Sequence, residues 1–224
     1  LITGPAGSGK DVIAHLLHKN STRFDGPFFS LNCATLDPNN FETSLFGMEN
    51  SSGGQTTREI GTFEQAHNGT LFLDEVADMP METQGKIVRV LQEQTFQRVG
   101  GAAFIEVDVR VIAASTKDLS KEMSLGHFRE DLFYRLNIIP ILLPSLKDRE
   151  DDVTHLAQHF LNNFNDRYEY TYRFNIKQMS AIQGYTWPGN IRELENIVER
   201  SVVLGDGEQV ELDIPGLDSD GLLL

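Results

Sequence analysis

A single cysteine in 224 residues, Cys33, leaves no partner for an internal disulfide, and no Cys/His grouping has the spacing of a zinc site. His155 and His159 stand four apart on an expected helix without a third ligand, so they read as ordinary helix residues. No apolar run approaches the ~20 residues that span a bilayer, and the first residues carry no charged-then-apolar leader. These absences exclude a membrane partner and point to a soluble, cytoplasmic protein. Cations are scarce as well: 19 Lys and Arg against 33 Asp and Glu give a net charge of −14. Such a balance repels a polyanion, so this segment is not expected to grip DNA broadly by itself, and DNA contact is expected elsewhere. What the chain does have is 40% apolar residues, enough for one large domain or a domain with a smaller lid. It begins inside an expected strand and ends in Gly221 and three leucines, which reads as a piece of a longer protein.

The densest signal is Gly4, Pro5, Ala6, Gly7, Ser8, Gly9 and Lys10, spaced G-x-x-x-x-G-K. Glycines at this spacing let backbone N–H groups curl around phosphate oxygens, a lysine reaches the outer phosphates, and the next helix contributes its positive end. The apolar stub Leu1 and Ile2 precedes it as a strand, and Val12, Ile13, Leu16 and Leu17 follow with helical spacing. This context predicts a phosphate-binding loop and therefore a nucleoside triphosphate ligand.

Periodicity predicts helices over 11–20, 81–94 and 129–136 and strands over 28–31, 70–73, 107–114 and 138–143, hence an α/β core with a mostly parallel sheet. Beyond Pro144 strand signals stop. Val153, Leu156, Ala157, Phe160, Leu161 and Phe164 form one apolar stripe, and Trp187, Pro188, Gly189 and Asn190 announce a last helix with Ile191, Leu194, Ile197, Val198 and Val202 inward. Trp187 reads as a core residue. The expected division is an α/β nucleotide-binding part over 1–146, a helical lid over 147–204 and an acidic, glycine-containing linker over 205–224.

Leu71, Phe72 and Leu73 run directly into Asp74 and Glu75. An apolar strand ending in two acids is what a nucleotide hydrolase needs beside its phosphate loop: Asp74 to hold Mg²⁺ and Glu75 to polarise the attacking water. A guanine-reading element is absent, since Thr116, Lys117, Asp118 and Leu119 have the wrong spacing.

Several further blocks extend nearly end to end: Leu31 to Ala34, Leu45 to Gly47, Gly69 to Glu75, Phe128 to Leu132 with Tyr134 to Asn137, and Trp187 to Asn196. On these residues the chain resembles the AAA+ ATPase domain of bacterial enhancer-binding proteins, the activators of sigma-54 RNA polymerase. The resemblance implies a P-loop AAA+ core with a mostly parallel five-stranded sheet, a small helical lid, and ATP hydrolysis with Mg²⁺ in a hexameric or heptameric ring. Asp11 takes the place where many P-loops put a Ser or Thr near the metal. Asn32 takes the family's switch position, from which an amide can hydrogen-bond Glu75. Ser115 and Thr116 fall at the first sensor, where the family usually has Thr-Asn; both remain able to contact the γ-phosphate or its water. Arg129 and Arg135 match arginine-finger positions, where a guanidinium from one subunit neutralises charge on its neighbour's γ-phosphate. Read without the resemblance, both are surface arginines paired with Glu130 or Asp131. Arg192 matches the second sensor. The resemblance also implies RNA polymerase holoenzyme as partner and DNA recognition by a helix-turn-helix domain after Leu224.

One stretch departs from the pattern. Between Gly47 and Gly61 the family carries the loop GAFTGA, whose aromatic and threonine contact the sigma factor; residues 48–60 here contain no aromatic, and 51–55 read as a flexible polar loop. The first reading is a ring ATPase that remodels a transcription complex. The second is a transcription regulator whose nucleotide or second-messenger ligand sets assembly or DNA affinity without driving sigma-54; the resemblance extends to a few relatives with a similarly altered loop that act with the housekeeping polymerase or respond to a cyclic dinucleotide.

Overall fold

In the computed structural model residues 1–52, 55–205, 210, 212, 214 and 215 are described. They contain β1 (Ile2–Thr3), α1 (Lys10–Lys19), β2 (Phe28–Asn32), α2 (Phe41–Phe46), β3 (Met48–Ser52), β4 (Gln55–Glu59), α3 (Thr62–Gln65), β5 (Thr70–Asp74), α4 (Met81–Glu93), β6 (Thr95–Gln97) and β7 (Phe104–Glu106). There follow β8 (Arg110–Ser115), α5 (Leu119–Ser124), α6 (Glu130–Leu136), β9 (Ile141–Leu142), α7 (Glu150–Tyr168), α8 (Ile176–Gly184) and α9 (Asn190–Leu204). The chain divides into two units, Leu1–Thr3 with Lys10–Leu142, and Gly4–Gly9 with Leu143–Leu224.

The first unit is built on one five-stranded sheet, in the order β2-β5-β8-β1-β9, with every pairing parallel. The interior strand β5 is buried on both faces, which is why its sequence is a continuous apolar run rather than an alternation. Leu71 and Leu73 enter the main core with Ile87, Val90 and Leu132, on the α4 and α6 side. On α1, the buried His18 pairs its Nδ1 with Thr70 Oγ1 at 3.0 Å, while Phe28 stacks near Phe72. The last strand is shorter than periodicity suggests: Ile138 and Ile139 are exposed, and Pro140 has no N–H to give a ladder.

Two hairpins were not legible as strands. The expected loop over 51–55 is the end of the antiparallel pair β3–β4, in register Met48↔Glu59 through Ser52↔Gln55; Gly53 and Gly54 lie outside the described residues. Both strands are polar, so no apolar period betrays them. Their base is fastened by Glu49 N–H to Val99 O (2.9 Å) and by Arg98, which bonds Glu49 (3.1 Å) and Glu64 (2.8 Å). The second hairpin is the short pair β6–β7.

The second unit packs α7, α8 and α9 around Trp187, Leu161, Leu194 and Val198. Trp187 is 1% exposed and donates its Nε1–H to Ile182 O at 2.8 Å. Two features depart from the sequence reading. Val210 and Ile214, inside the expected linker over 205–224, are buried in this core; their apolar side chains have somewhere dry to go, which the acidic composition around them obscures. The loop Gly4–Gly9 also belongs with this unit rather than the α/β one. Ile191 N–H reaches Gly7 O (2.9 Å), Asn190 Nδ2 reaches Ala6 O (2.9 Å) and Arg149 Nη2 reaches Ser8 O (3.2 Å).

Candidate functional site

Parallel strands deliver their C-terminal ends to one edge, the place where open α/β sheets present reactive groups. Register puts Asn32 of β2 beside Asp74 of β5, and Leu73 beside Ala113 of β8, so Glu75 and Thr116 follow at the same edge. Glu75 adopts φ 52°, a left-handed conformation unusual for a side-chain-bearing residue and one that surrounding contacts must hold. Those contacts are specific. Oε2 accepts from Thr116 N–H (2.9 Å) and Thr116 Oγ1 (2.8 Å), and Oε1 faces the Lys10 ammonium at 3.8 Å. Lys10, at the start of α1, is 7% exposed.

Asp74 is bonded differently. Its Oδ1 accepts Glu75 N–H (3.0 Å) and its Oδ2 accepts Asn32 Nδ2 (3.3 Å). Partial burial first, and then the neighbouring Glu75 charge, push its carboxyl above the usual range, with Lys10 pulling the other way. The amide expected to bond Glu75 therefore bonds Asp74 instead, because register sets Asn32 opposite Asp74; its Oδ1 is already engaged by Ala34 N–H at 2.9 Å. Cys33, next in the chain, is buried, and that burial together with Asp74, Asp78 and Glu75 raises its thiol to about 12.

Of the two expected sensor residues, Ser115 is buried and turned into its own loop, donating to Lys117 O (2.9 Å) and accepting from Lys117 N–H (3.1 Å). Thr116 is exposed and takes the carboxylate. Lys117 Nζ reaches Asp78 at 2.5 Å, tying this loop to the turn Val76–Asp78 that follows Glu75. Asp11 stands exposed in the first turn of α1.

The two arginines of the α6 region differ. Arg129 caps the helix and makes a forked pair with Asp131 (3.0 and 2.8 Å), one of the surface partners open to it from sequence. Arg135 is exposed and has no ion pair among the described residues. Sequence reasoning missed Gln84: fully buried on α4, it accepts Arg129 N–H (2.8 Å) and donates to Met79 O and His127 O, fixing the backbone that carries Arg129.

In the second unit, Gly7 and Gly9 hold φ 71° and 91°, and a Cβ on Gly7 would stand 2.3 Å from Gly189 O. Only glycine fits there. Ser8 Oγ is buried without a hydrogen-bond partner among the described residues. A cavity of about 510 Å³ opens against Ala6, Gly7, Gly189, Arg192, Asn196 and Arg200, so the loop and the expected second sensor share one wall. Asn190 was also missed as more than a helix start. It is 3% exposed at φ 56°, accepting Leu146 N–H (2.7 Å) and holding Ala6 O.

Comparison with known proteins agrees with this architecture. The profile of the Sigma-54 interaction domain matches residues 1–142, and that of the AAA+ ATPase lid domain matches 147–215. The chain is 47% identical over 210 residues to regulatory protein AtoC of Escherichia coli K12, covering 92% of this chain and 45% of AtoC. It is 44% identical over 205 residues to the DNA-binding transcriptional regulator NtrC of Rhizobium meliloti, covering 91% of this chain and 42% of that protein. NtrX of Brucella abortus, solved in complex with ADP and in complex with ATP, superposes with a TM-score of 0.86 at 42% identity, over 92% of this chain and 46% of NtrX. The chain thus spans less than half the length of each of these relatives. With the Sigma-54 interaction domain matched over more than half of its residues and the AAA+ ATPase lid domain after it, this chain belongs to the sigma-54 interaction domain family of AAA+ proteins.

Proposed function

We propose that the domain binds ATP with Mg²⁺ and hydrolyses it in a ring of copies, as part of a regulator that controls bacterial transcription initiation. The observation that supports it most is the arrangement of Glu75 between Lys10 and Thr116, with Asp74 beside it. The residues suit the ligands. Ser8 Oγ is buried without a partner among the described residues, and Gly7 and Gly9 hold the positive φ that a loop curled around phosphate uses. No cluster of three or more His, Cys, Asp or Glu suits a metal among the described residues, but Mg²⁺ needs only one or two carboxylates when substrate phosphates complete its shell. Asp74 supplies one, and a cation there would offset the burial and, after it, the Glu75 charge that raise its carboxyl. Bound Mg²⁺ neutralises charge on the phosphates.

Lys10 leaves Glu75 for the outer phosphates when ATP binds. Glu75 then takes a proton from water at Oε1, the water oxygen bonds to the γ-phosphorus, and the β–γ bridging bond breaks with its electrons leaving on ADP. Arg135 and Arg129 act across to a neighbouring copy, and Arg192 senses the nucleotide from the wall it shares with the loop. The test is ATP turnover of the natural protein beside Glu75→Gln: a loss of about a hundredfold or more is expected, and unchanged turnover removes Glu75 as the base.

The missing aromatic over 48–60 favours a second reading for the target. ATP state would then set assembly or DNA affinity, with no sigma-54 remodelling. Retention of sigma-54 by the protein loaded with a γ-phosphate analogue separates the two: retention supports remodelling, and its absence with nucleotide-dependent assembly supports the switch.

A further inference from the structure

We propose that Gln84 and Gly85, adjacent on α4, form the seat of Arg129, so that each copy presents this guanidinium to its neighbour in one fixed position. The inference rests on the reading of Arg129 as a group that acts across copies. Three observations carry it. Gln84 is fully buried, and its Oε1 accepts Arg129 N–H at 2.8 Å. Its Nε2 donates to His127 O (3.0 Å) and to Met79 O (2.9 Å), so one amide joins the segment that carries Arg129 to the end of the turn that follows Glu75. Next to it, Gly85 leaves room for the guanidinium: a Cβ there would stand 3.5 Å from Arg129 Nη1 and 3.8 Å from its Cζ.

The geometry separates what is fixed from what is free. Arg129 stands before the first residue of α6 on extended backbone, where its own N–H has no partner within the helix. Gln84 supplies that partner from the buried side, and with both amide hydrogens engaged it holds the segment at three points. The guanidinium, by contrast, is bound only to the exposed Asp131, a surface pair weak enough to yield to phosphate. The side chain can therefore change partners while its backbone stays still. A charge-neutralising group displaced by about 1 Å costs on the order of a hundredfold in rate, so the seat governs turnover without touching nucleotide.

The experiment is steady-state ATP hydrolysis by the natural, assembled protein, with sizing on each sample. Gln84→Met keeps the volume and removes the amide; kcat is expected to fall about a hundredfold with little change in KM, because the arginine acts on the transition state. Gly85→Leu fills the guanidinium's place from a helix position where leucine is favourable, and the same loss is expected. Each defect should be cured in trans. Mixed in equal parts with Glu75→Gln, which keeps Arg129 seated but lacks the base, either variant should recover about a quarter of the natural rate, the share of sites in a random ring that join an intact base to a seated arginine. Wild-type kcat in either variant, or a loss with no gain on mixing, would overturn the proposal. If Gln84→Met fails to assemble, Gly85→Leu alone decides. Should Glu75→Gln itself turn over, the base reading falls and Lys10→Ala serves as the partner copy. Unchanged turnover in Arg129→Ala would instead overturn the reading of Arg129, and this inference with it.

Discussion

The acids at the end of β5 and the arginines around α6 are charged groups of the same unit, organised in opposite ways. Glu75 and Asp74 are each held by two or more donors or a cation, within a few residues of strand ends that fix their spacing. Arg135 projects from α6 without an ion pair among the described residues, and Arg129 spends its charge on the equally exposed Asp131. On the proposed reading, the pre-bonded acids work within one copy and the exposed guanidinium meets a neighbour; surface pairs such as Arg129–Asp131 are weak enough to be exchanged for a better anion.

The largest test of that contrast is Arg135→Ala. If Arg135 completes a neighbour's site, turnover should fall about a thousandfold while the unfolding midpoint stays unchanged, measured by phosphate release and by thermal melting on the same samples. A loss of twofold or less would leave the arginines as ordinary surface charges.

Next in size is Asn190→Ala, which asks whether the loop Gly4–Gly9 is as firmly held as the acids. The substitution strands Leu146 N–H and Ala6 O and places alanine at a left-handed φ, so chemical denaturation should show a loss of about 2–3 kcal/mol, with weaker ATP binding. Wild-type stability would mean that these bonds do not hold the loop.

Asp74→Asn tests the crowding of the acids. A carboxyl raised in the fold contributes stability below its ordinary value of 3.8 and loses it as pH rises through the raised value, so at pH 7 the ionised Asp74 is a cost. Removing the charge should raise the ligand-free melting temperature at pH 7 by about 1–2 °C, after allowance for solvent screening, and the gain should vanish near pH 4. The same variant should lose Mg²⁺-dependent nucleotide binding. The smallest effect concerns Cys33: with its thiol raised to about 12, alkylation at pH 7 should be negligible in the folded protein and rapid after denaturation.

Much of this was readable from residues alone where local chemistry and spacing act together. The glycine cradle, the apolar strand into Asp74 and Glu75, and the stripes of α7 and α9 each follow a period or a fixed offset, and the parallel sheet followed from their alternation. Pairwise partners were not readable. Asn32 lies one register position from where its expected role required it, and register is set by pairing across strands 42 residues apart in sequence. That Thr116 rather than Ser115 meets Glu75 follows from the turn that Ser115 and Lys117 build. Gln84 and Asn190 are buried polar residues whose work is to satisfy backbone groups far along the chain, and a single sequence carries no period for that. The β3–β4 hairpin escaped because both its strands are polar.

The most direct measurement is specific ATP turnover against protein concentration for the natural protein, with sizing on the same samples. If one copy supplies Lys10, Asp74 and Glu75 and another supplies Arg135, specific activity should rise with concentration in step with assembly, and Arg135→Ala should assemble without turning over. Full activity independent of concentration in an unassembled protein would contradict that division of labour.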